Sequence, residues 1–261
     1  MRSVTRSTPR YLTPAAVALF VAAASTAGAQ TAADHIAMGD SLHKAMNPAA
    51  ALKHYEAAIA IEPKNYQALI NASRDAVDVG EFNGDKNTRT ELFHSGELYA
   101  RRAIEVNPND ADGHFVLARA LGRTALSLGP RDKVKYATEV RAHALDALKF
   151  NPGHPGALHV MGMWNAEVMR LNGPTRWIAR NVLGGQVFGS ASWKNAVQFM
   201  EKAVAVDPTR ITHHIDLAEI YRDTGDKTRA REQFQAVISL PATDYNDRFY
   251  KQRAEKELKD L

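Results

Sequence analysis

One phrase recurs four times along this chain: AIAIEP from Ala58 to Pro63, AIEVNP from Ala103 to Pro108, ALKFNP from Ala147 to Pro152 and AVAVDP from Ala203 to Pro208. An altered fifth copy closes at Leu240-Pro241. Each copy is a helix end. Alanine allows a neighbouring helix to approach, the apolar residues around it pack, and proline cannot continue the helix. A unit that repeats in this way buries its apolar face only by stacking on the next, so the chain is bound to an array of helices.

The first and last units follow the tetratricopeptide (TPR) pattern of about 34 residues, in which two helices form a hairpin. Met38-Gly39, Leu42, Ala51, Tyr55, Ala58 and Pro63 fall at its positions in the first unit, and Leu217-Ala218, Tyr221, Gly225-Asp226, Ala230 and Phe234 in the last. The middle units keep their ends and stretch their centres, because the proline returns after 45, 44, 56 and then 33 residues. Helix A of each still reads cleanly at Leu69, Ala72 and Ala76, at His114, Leu117-Ala118 and Leu121, and at Leu158, Met161-Gly162 and Trp164. The extra residues therefore lie between the two helices of a hairpin. Two of these stretches, Gly80 to Thr90 and the neighbourhood of Gly129-Pro130-Arg131-Asp132, have turn composition with part of each lengthening a helix. The third carries Asn172-Gly173-Pro174 and a short helix over Thr175 to Leu183.

The predicted fold is all-α, an α-α superhelix (TPR solenoid) of about five hairpins with insertions in repeats two to four. The repeats run approximately over 32–65, 66–110, 111–154, 155–210 and 211–243, and a capping helix over 244–261 covers the last apolar face.

Ahead of the array, Arg2, Arg6 and Arg10 precede an apolar run from Ala15 to Ala24 that ends at Ala27-Gly28-Ala29. A basic start, a short apolar stretch and small residues at a cleavage site predict a signal peptide over 1–29, removed near Ala29. The expected location is exported, either periplasmic or secreted. The chain has no cysteine, which excludes disulfides, thiolate metal sites and a lipid-modified cysteine. Losing three arginines lowers the formal charge from +4 to +1, so no global field draws nucleic acid, and that partner class is set aside.

The wording Gly113-His114-Phe115-Val116-Leu117-Ala118 and Asn151-Pro152-Gly153-His154-Pro155-Gly156-Ala157-Leu158-His159-Val160-Met161-Gly162 resembles the regulator of microtubule dynamics family. Leu183-Gly184-Gly185 and Leu240-Pro241-Ala242-Thr243-Asp244 extend the resemblance over nearly all of the residues after the signal. It implies a TPR domain, association with microtubules and organelle membrane contacts in eukaryotic members, and lipid binding by the TPR domain.

No catalytic constellation emerges. The ten histidines contain no H-E-x-x-H motif, His213 and His214 are neighbours that point apart on a helix, and Pro155-Gly156 separates His154 from His159. Gly184 to Ser190 has the glycine spacing of a phosphate loop but lacks its lysine. Neither a metal nor a cofactor is expected, and the chain does not read as an enzyme.

Helix A lines the concave face of a TPR array, which offers a groove of Ile70, Arg74 and Val77, then Phe115, Arg119 and Arg123, then His159, Met163 and Glu167, then Ile215, Glu219 and Arg222. Apolar residues beside arginines suit a protein or peptide segment, or an acidic lipid whose headgroup takes the guanidinium forks. For any single position the favoured reading is the plainer one, in which the arginine pairs with a nearby Asp or Glu and the apolar residue packs on a neighbouring helix, since helix faces usually carry paired charges. In the inserted helix, Arg176 and Arg180 flank Trp177, Ile178 and Val182. This basic, amphipathic segment suits a membrane surface, a lid over the groove, or simple packing of its apolar side on the solenoid.

Overall fold

The computed structural model describes residues 30–261; the expected signal peptide lies outside the described residues. Five hairpins follow one another: α1 (Ala32–Lys44) with α2 (Pro48–Ile61), α3 (Tyr66–Glu81) with α4 (Lys86–Val106), α5 (Ala111–Thr124) with α6 (Pro130–Phe150), α7 (Pro155–Arg170) with α9 (Trp193–Val206), and α10 (Ile211–Asp223) with α11 (Lys227–Ser239). The short α8 (Gly173–Asn181) interrupts the fourth, and α12 (Asp247–Asp260) follows the fifth. There is no strand among the described residues, and no helix among them is long and apolar enough to cross a membrane.

The recurring prolines sit in two-residue turns that end one hairpin and start the next. In each turn the residue that closes the preceding helix leaves the helical region, and in the first three the side chain two after proline caps the next helix, whereas Arg210 after Pro208 makes no such bond. Asn65 Oδ1 accepts from the Ala68 amide at 3.0 Å, Asp110 Oδ1 from Asp112 at 2.9 Å, and His154 Nδ1 from Ala157 at 3.1 Å. These bonds satisfy amides that a helix start would otherwise leave unpaired.

The small residues lie where helices touch. Ala51, Ala58, Ala72, Ala76, Ala100, Ala103, Ala118, Ala144, Ala147, Ala203 and Ala218 are all fully buried. Gly39 of α1 meets the Tyr55 ring of α2 so closely that a Cβ would lie 2.5 Å from it. Tyr55 in turn donates its hydroxyl to Asp40 at 2.8 Å, which ties the first hairpin together.

The insertions of repeats two and three become helix rather than loop. In repeat two Phe82 to Asp85 remain as a turn, because Asp85 accepts from the Thr88 amide at 2.7 Å and starts α4 there, turning the polar run after it into an exposed first turn. In repeat three a 3-10 turn over Ala125–Ser127 leads through Leu128 and Gly129 into α6. Helices α4 and α6 consequently reach 21 residues each, against 14 in α2. Helix α8 begins at Gly173, two residues earlier than the proline signal indicated, since Asn172 caps it through the Thr175 amide at 2.8 Å.

The curvature of the array brings its far ends together. Asn246, just before α12, donates to the backbone carbonyl of Asp78 in α3 at 3.0 Å, across 168 positions of sequence. Helix α12 therefore covers the end of the solenoid and also crosses its concave side.

Replacing Gly39 with Val should destabilise the protein by about 1–3 kcal/mol, because the tyrosine ring cannot yield without disturbing its bond to Asp40. Gly84→Ala, where no atom lies within 4 Å of the new Cβ, should change stability by less than about 0.5 kcal/mol. Urea unfolding of the two variants measures the difference.

Candidate functional site

The concave face is built from charges that pair between neighbouring A helices, α3 with α5 and α7 with α10. Helix α3 presents Asp75, Asp78 and Glu81, three residues apart and so on one face. Helix α5 answers with Arg119 and Arg123, one turn apart. Arg119 donates to Asp78 at 2.5 Å and lies 3.6 Å from Glu81, and Arg123 donates to Glu81. On the other flank of α3, Arg74 and His43 both meet Asp75 at 2.9 Å. Farther along, His159 of α7 pairs with Asp216 of α10 at 2.7 Å, and Arg170 pairs with Asp223 at 2.6 Å and Glu167 at 2.5 Å.

Every arginine expected to face the groove thus has a carboxylate from the chain itself. Arg222 completes the set, bonded to Glu257 of α12. The apolar positions are also engaged. Ile70 is buried in the core of the first repeats, the Phe115 ring packs 4.8 Å from His154, and Met163 packs against the core of the last two repeats. The apolar and arginine positions therefore form a packed, charge-paired floor. Its acidic half, Asp75, Asp78, Glu81, Asp216 and Glu219, is absent from the sequence reading except for Glu219. The available signal was the spacing of three acids on α3 opposite two arginines on α5.

Helix α12 lies on this floor. Tyr250 donates to Glu81 at 2.6 Å, Arg253 pairs with Glu219, and Asp244, before the helix, pairs with Arg210 at 2.8 Å. Phe249 stacks on Phe82 at 4.6 Å between ring centres.

Burial sets the protonation of the floor. It raises the Asp78 carboxyl, which Arg119 only partly offsets. Burial of Arg119 disfavours its charge, yet the Asp78 and Glu81 carboxylates outweigh this and hold it protonated more firmly than usual. Burial and the neighbouring Asp216 carboxylate push Glu219 up to about 7. Burial, with His159 and Arg210 nearby, pushes His213 down to about 3.

Two groups carry donor sets that could hold a metal ion: His114, His143 and Asp146, and His43, Asp75 and Asp78. In the first, the Pro108 carbonyl takes the Nε2 proton of His114 at 2.9 Å, which leaves its Nδ1 to accept from His143 Nδ1 at 2.9 Å. The two rings satisfy each other. In the second, the arginines on Asp75 and Asp78 already supply the positive charge. His114 and His143 sit on facing helices 29 residues apart, a pairing that no local motif reveals.

The inserted helix α8 docks on α6 through Ala179, which is buried, while Trp177 and Val182 are each 61% exposed and Ile178 45%. Its apolar side does not pack on the solenoid. Ala179 and Leu183, one turn apart, face inward and leave the tryptophan side outward, because Phe188 supplies the anchor by packing edge-on against Trp164. The glycine-rich stretch that follows is the tight link between them, with the Gly185 amide donating to the Ala179 carbonyl at 3.0 Å.

This fold, with stretched central repeats, can be set beside known proteins. The model of the family "Regulator of microtubule dynamics protein 1-3" matches residues 34–261. The chain belongs to that family. Regulator of microtubule dynamics protein 1 of Bos taurus is 27% identical over 148 residues, 56% of this chain and 46% of the relative. The Rattus norvegicus protein of the same name is 23% identical over 181 residues, 69% of this chain and 57% of the relative. This family member spans about half the length of the curated relatives it matches. TTC0263, a thermophilic TPR protein of Thermus thermophilus, has a crystal structure that superposes with a TM-score of 0.60 at 18% identity, over 87% of this chain and all of that one. The fold is a TPR superhelix.

The raised Glu219 carboxyl predicts a definite pH dependence. Unfolded, the group ionises near 4.5; folded, it holds its proton to about 7. The folded state therefore binds the extra proton in that window, and its stability falls as pH rises from about 4.5 to 7. Glu219→Gln, which stays neutral, should flatten this part of the curve. Urea unfolding at about pH 5 and about pH 8 shows the change, and an equal slope in both proteins would count against it.

Proposed function

We propose that this protein is a non-enzymatic scaffold that binds a protein or peptide segment in its concave groove. One observation carries the reading. The groove already holds a polypeptide helix, its own α12, by ion pairs, tyrosine hydroxyl donation and an aromatic stack. A surface that orders one helix in this way has the donors and acceptors to order another. Its charged floor suits peptide side chains, whereas an acyl chain would have to lie against Asp78, Glu81, Arg119 and Arg123.

Peptides selected from a displayed random library against the full chain test the reading. Charge reversal at two half-buried or exposed groove positions, Arg74→Glu and Glu167→Lys, should each weaken selected peptides about tenfold or more, while Lys53→Glu on the outer helix α2 should leave them unchanged. Peptides indifferent to both groove changes would remove the scaffold reading.

A second reading rests on α8. Trp177, Ile178 and Val182 stand exposed beside Arg176 and Arg180, an arrangement that suits an anionic lipid surface at the headgroup level. Association with such a surface through α8 leaves the groove free for its partner. Cosedimentation with vesicles containing phosphatidylglycerol should fall for Trp177→Glu/Ile178→Glu, and an unchanged bound fraction would exclude it. The basic-apolar start of the chain supports export to the periplasm or medium, with Gln30 as the first residue of the exported protein. Amino-terminal sequencing of the exported protein tests that point.

A further inference from the structure

We infer that α12 is a displaceable plug, and that the partner of the groove is a helix that takes its place by repeating its contact stripe. This rests on the scaffold reading above and names the partner's chemistry.

Beside the Phe249 stack on Phe82 and the Asp244 pair with Arg210, four residues make polar contacts with the groove: Asn246, Tyr250, Arg253 and Glu257. Their spacings of four, three and four residues put them on one stripe of a helix. Each has its own counterpart: the Asp78 carbonyl, the Glu81 carboxylate, the Glu219 carboxylate and the Arg222 guanidinium. The groove therefore reads a helix bearing an amide, a tyrosine, an arginine and an acid at positions i, i+4, i+7 and i+11.

Three features make α12 an exchangeable occupant rather than a further structural layer. Its apolar contribution is small, Tyr250 and Ala254 buried with Leu258 and Leu261 partly buried beside them, while the hairpins bury whole faces of Ala, Leu, Ile and Phe. The seam is also imperfectly satisfied: on the groove side the buried Glu81 Oε2 has no hydrogen-bond partner, which an incoming helix can supply, and on the plug itself the buried Asn246 Oδ1 and Asp247 Oδ1 have none and gain water when α12 leaves. Finally, the central pairs of the floor do not depend on α12, although Arg222 gives up Glu257, Glu219 gives up Arg253 and Glu81 gives up Tyr250. Arg119 with Asp78, Arg123 with Glu81, and His159 with Asp216 remain paired when the helix leaves. The linker from Leu240 to Asn246 separates α12 from the last hairpin, so release of the helix breaks the Arg210–Asp244 pair and the Lys251 bonds to the Ile238 and Leu240 carbonyls but opens no hairpin.

A tethered helix competes at an effective concentration on the order of millimolar, so an external helix binds weakly until α12 is loosened. The probe is a fluorescein-labelled synthetic peptide of residues 242–261, titrated by anisotropy against three full-length proteins. The first is the unaltered protein. The second, Tyr250→Ser/Arg253→Ser, weakens the plug and leaves every groove residue in place. The third, Phe82→Cys/Phe249→Cys, is joined by a short bismaleimide across the aromatic stack, which the absence of native cysteine makes site-specific.

The peptide should bind the loosened protein at least about tenfold tighter than the unaltered one, fail to bind the crosslinked protein, and bind that same variant before crosslinking. Circular dichroism verifies folding, and hydrogen exchange should show faster exchange confined to α12 in the loosened protein. Equal binding to the crosslinked and uncrosslinked forms would overturn the inference. So would a loosened protein, folded and with α12 released, that binds no tighter than the unaltered one. Library-selected peptides that occupy the groove of the crosslinked form would reject displacement while leaving the scaffold reading standing.

Discussion

Where two helices of a hairpin cross, the side chains at the crossing decide how close their axes come, and here those side chains are alanine and glycine. Gly39 lets α1 close on the Tyr55 ring of α2, Gly96 of α4 lies against Ala76 and the Ser73 carbonyl of α3, and Ala51, Ala58, Ala72, Ala76, Ala100 and Ala103 are fully buried. Larger residues at these points would push the helices apart and change the tilt of each hairpin on the next. The large side chains, Tyr55, Leu69, Leu117, Met200 and Phe234, then fill the space that close contact leaves between layers. The tilt accumulates from repeat to repeat into the curvature that lets α12 reach α3.

Curvature creates the second condition, a concave face on which charged side chains lose water. An isolated buried charge costs several kcal/mol, so the face is stable only if each charge has a partner. Acidic α3 facing basic α5, and basic α7 facing acidic α10, supply most of those partners between helices. Arg119 and Arg123 join repeat three to repeat two, and His159 joins repeat four to repeat five. The same network that makes the groove polar also fixes the register of adjacent hairpins. Its least satisfied part is the seam with α12, and the exposed face of α8 is the other place where the fold leaves contact potential unused.

The helical array could be read from the chain because its determinants are local. The proline of each turn, the capping residue two positions on and the alanine before it lie within a few residues of one another, and each acts through its own backbone. The groove was legible only in outline. Ile70, Arg74, Phe115, Arg119, Arg123, His159, Met163 and Arg222 lie on the A helices, but whether an arginine there is free or paired depends on carboxylates 35 to 42 positions away in the cases of Arg119, Arg123 and Arg222. The direction of α8 escapes a local reading for a similar reason. Its amphipathic pattern favours burial of Trp177 and Ile178, yet the segment is anchored by Phe188 on Trp164, and Trp177 and Ile178 stay exposed.

The sequence by itself determined the repeat, the hairpin and the all-α class, since a proline that stops a helix and an alanine that admits a neighbour act wherever the chain goes. Tertiary structure alone decided that the arginines of the groove would be paired, that Trp177 would face outward and that α12 would cross the concave side to Asp78 and Glu81. Those outcomes depend on the accumulated tilt of five stacked hairpins. A small rotation at each interface becomes a large displacement at the end, and no single stretch of sequence encodes the sum.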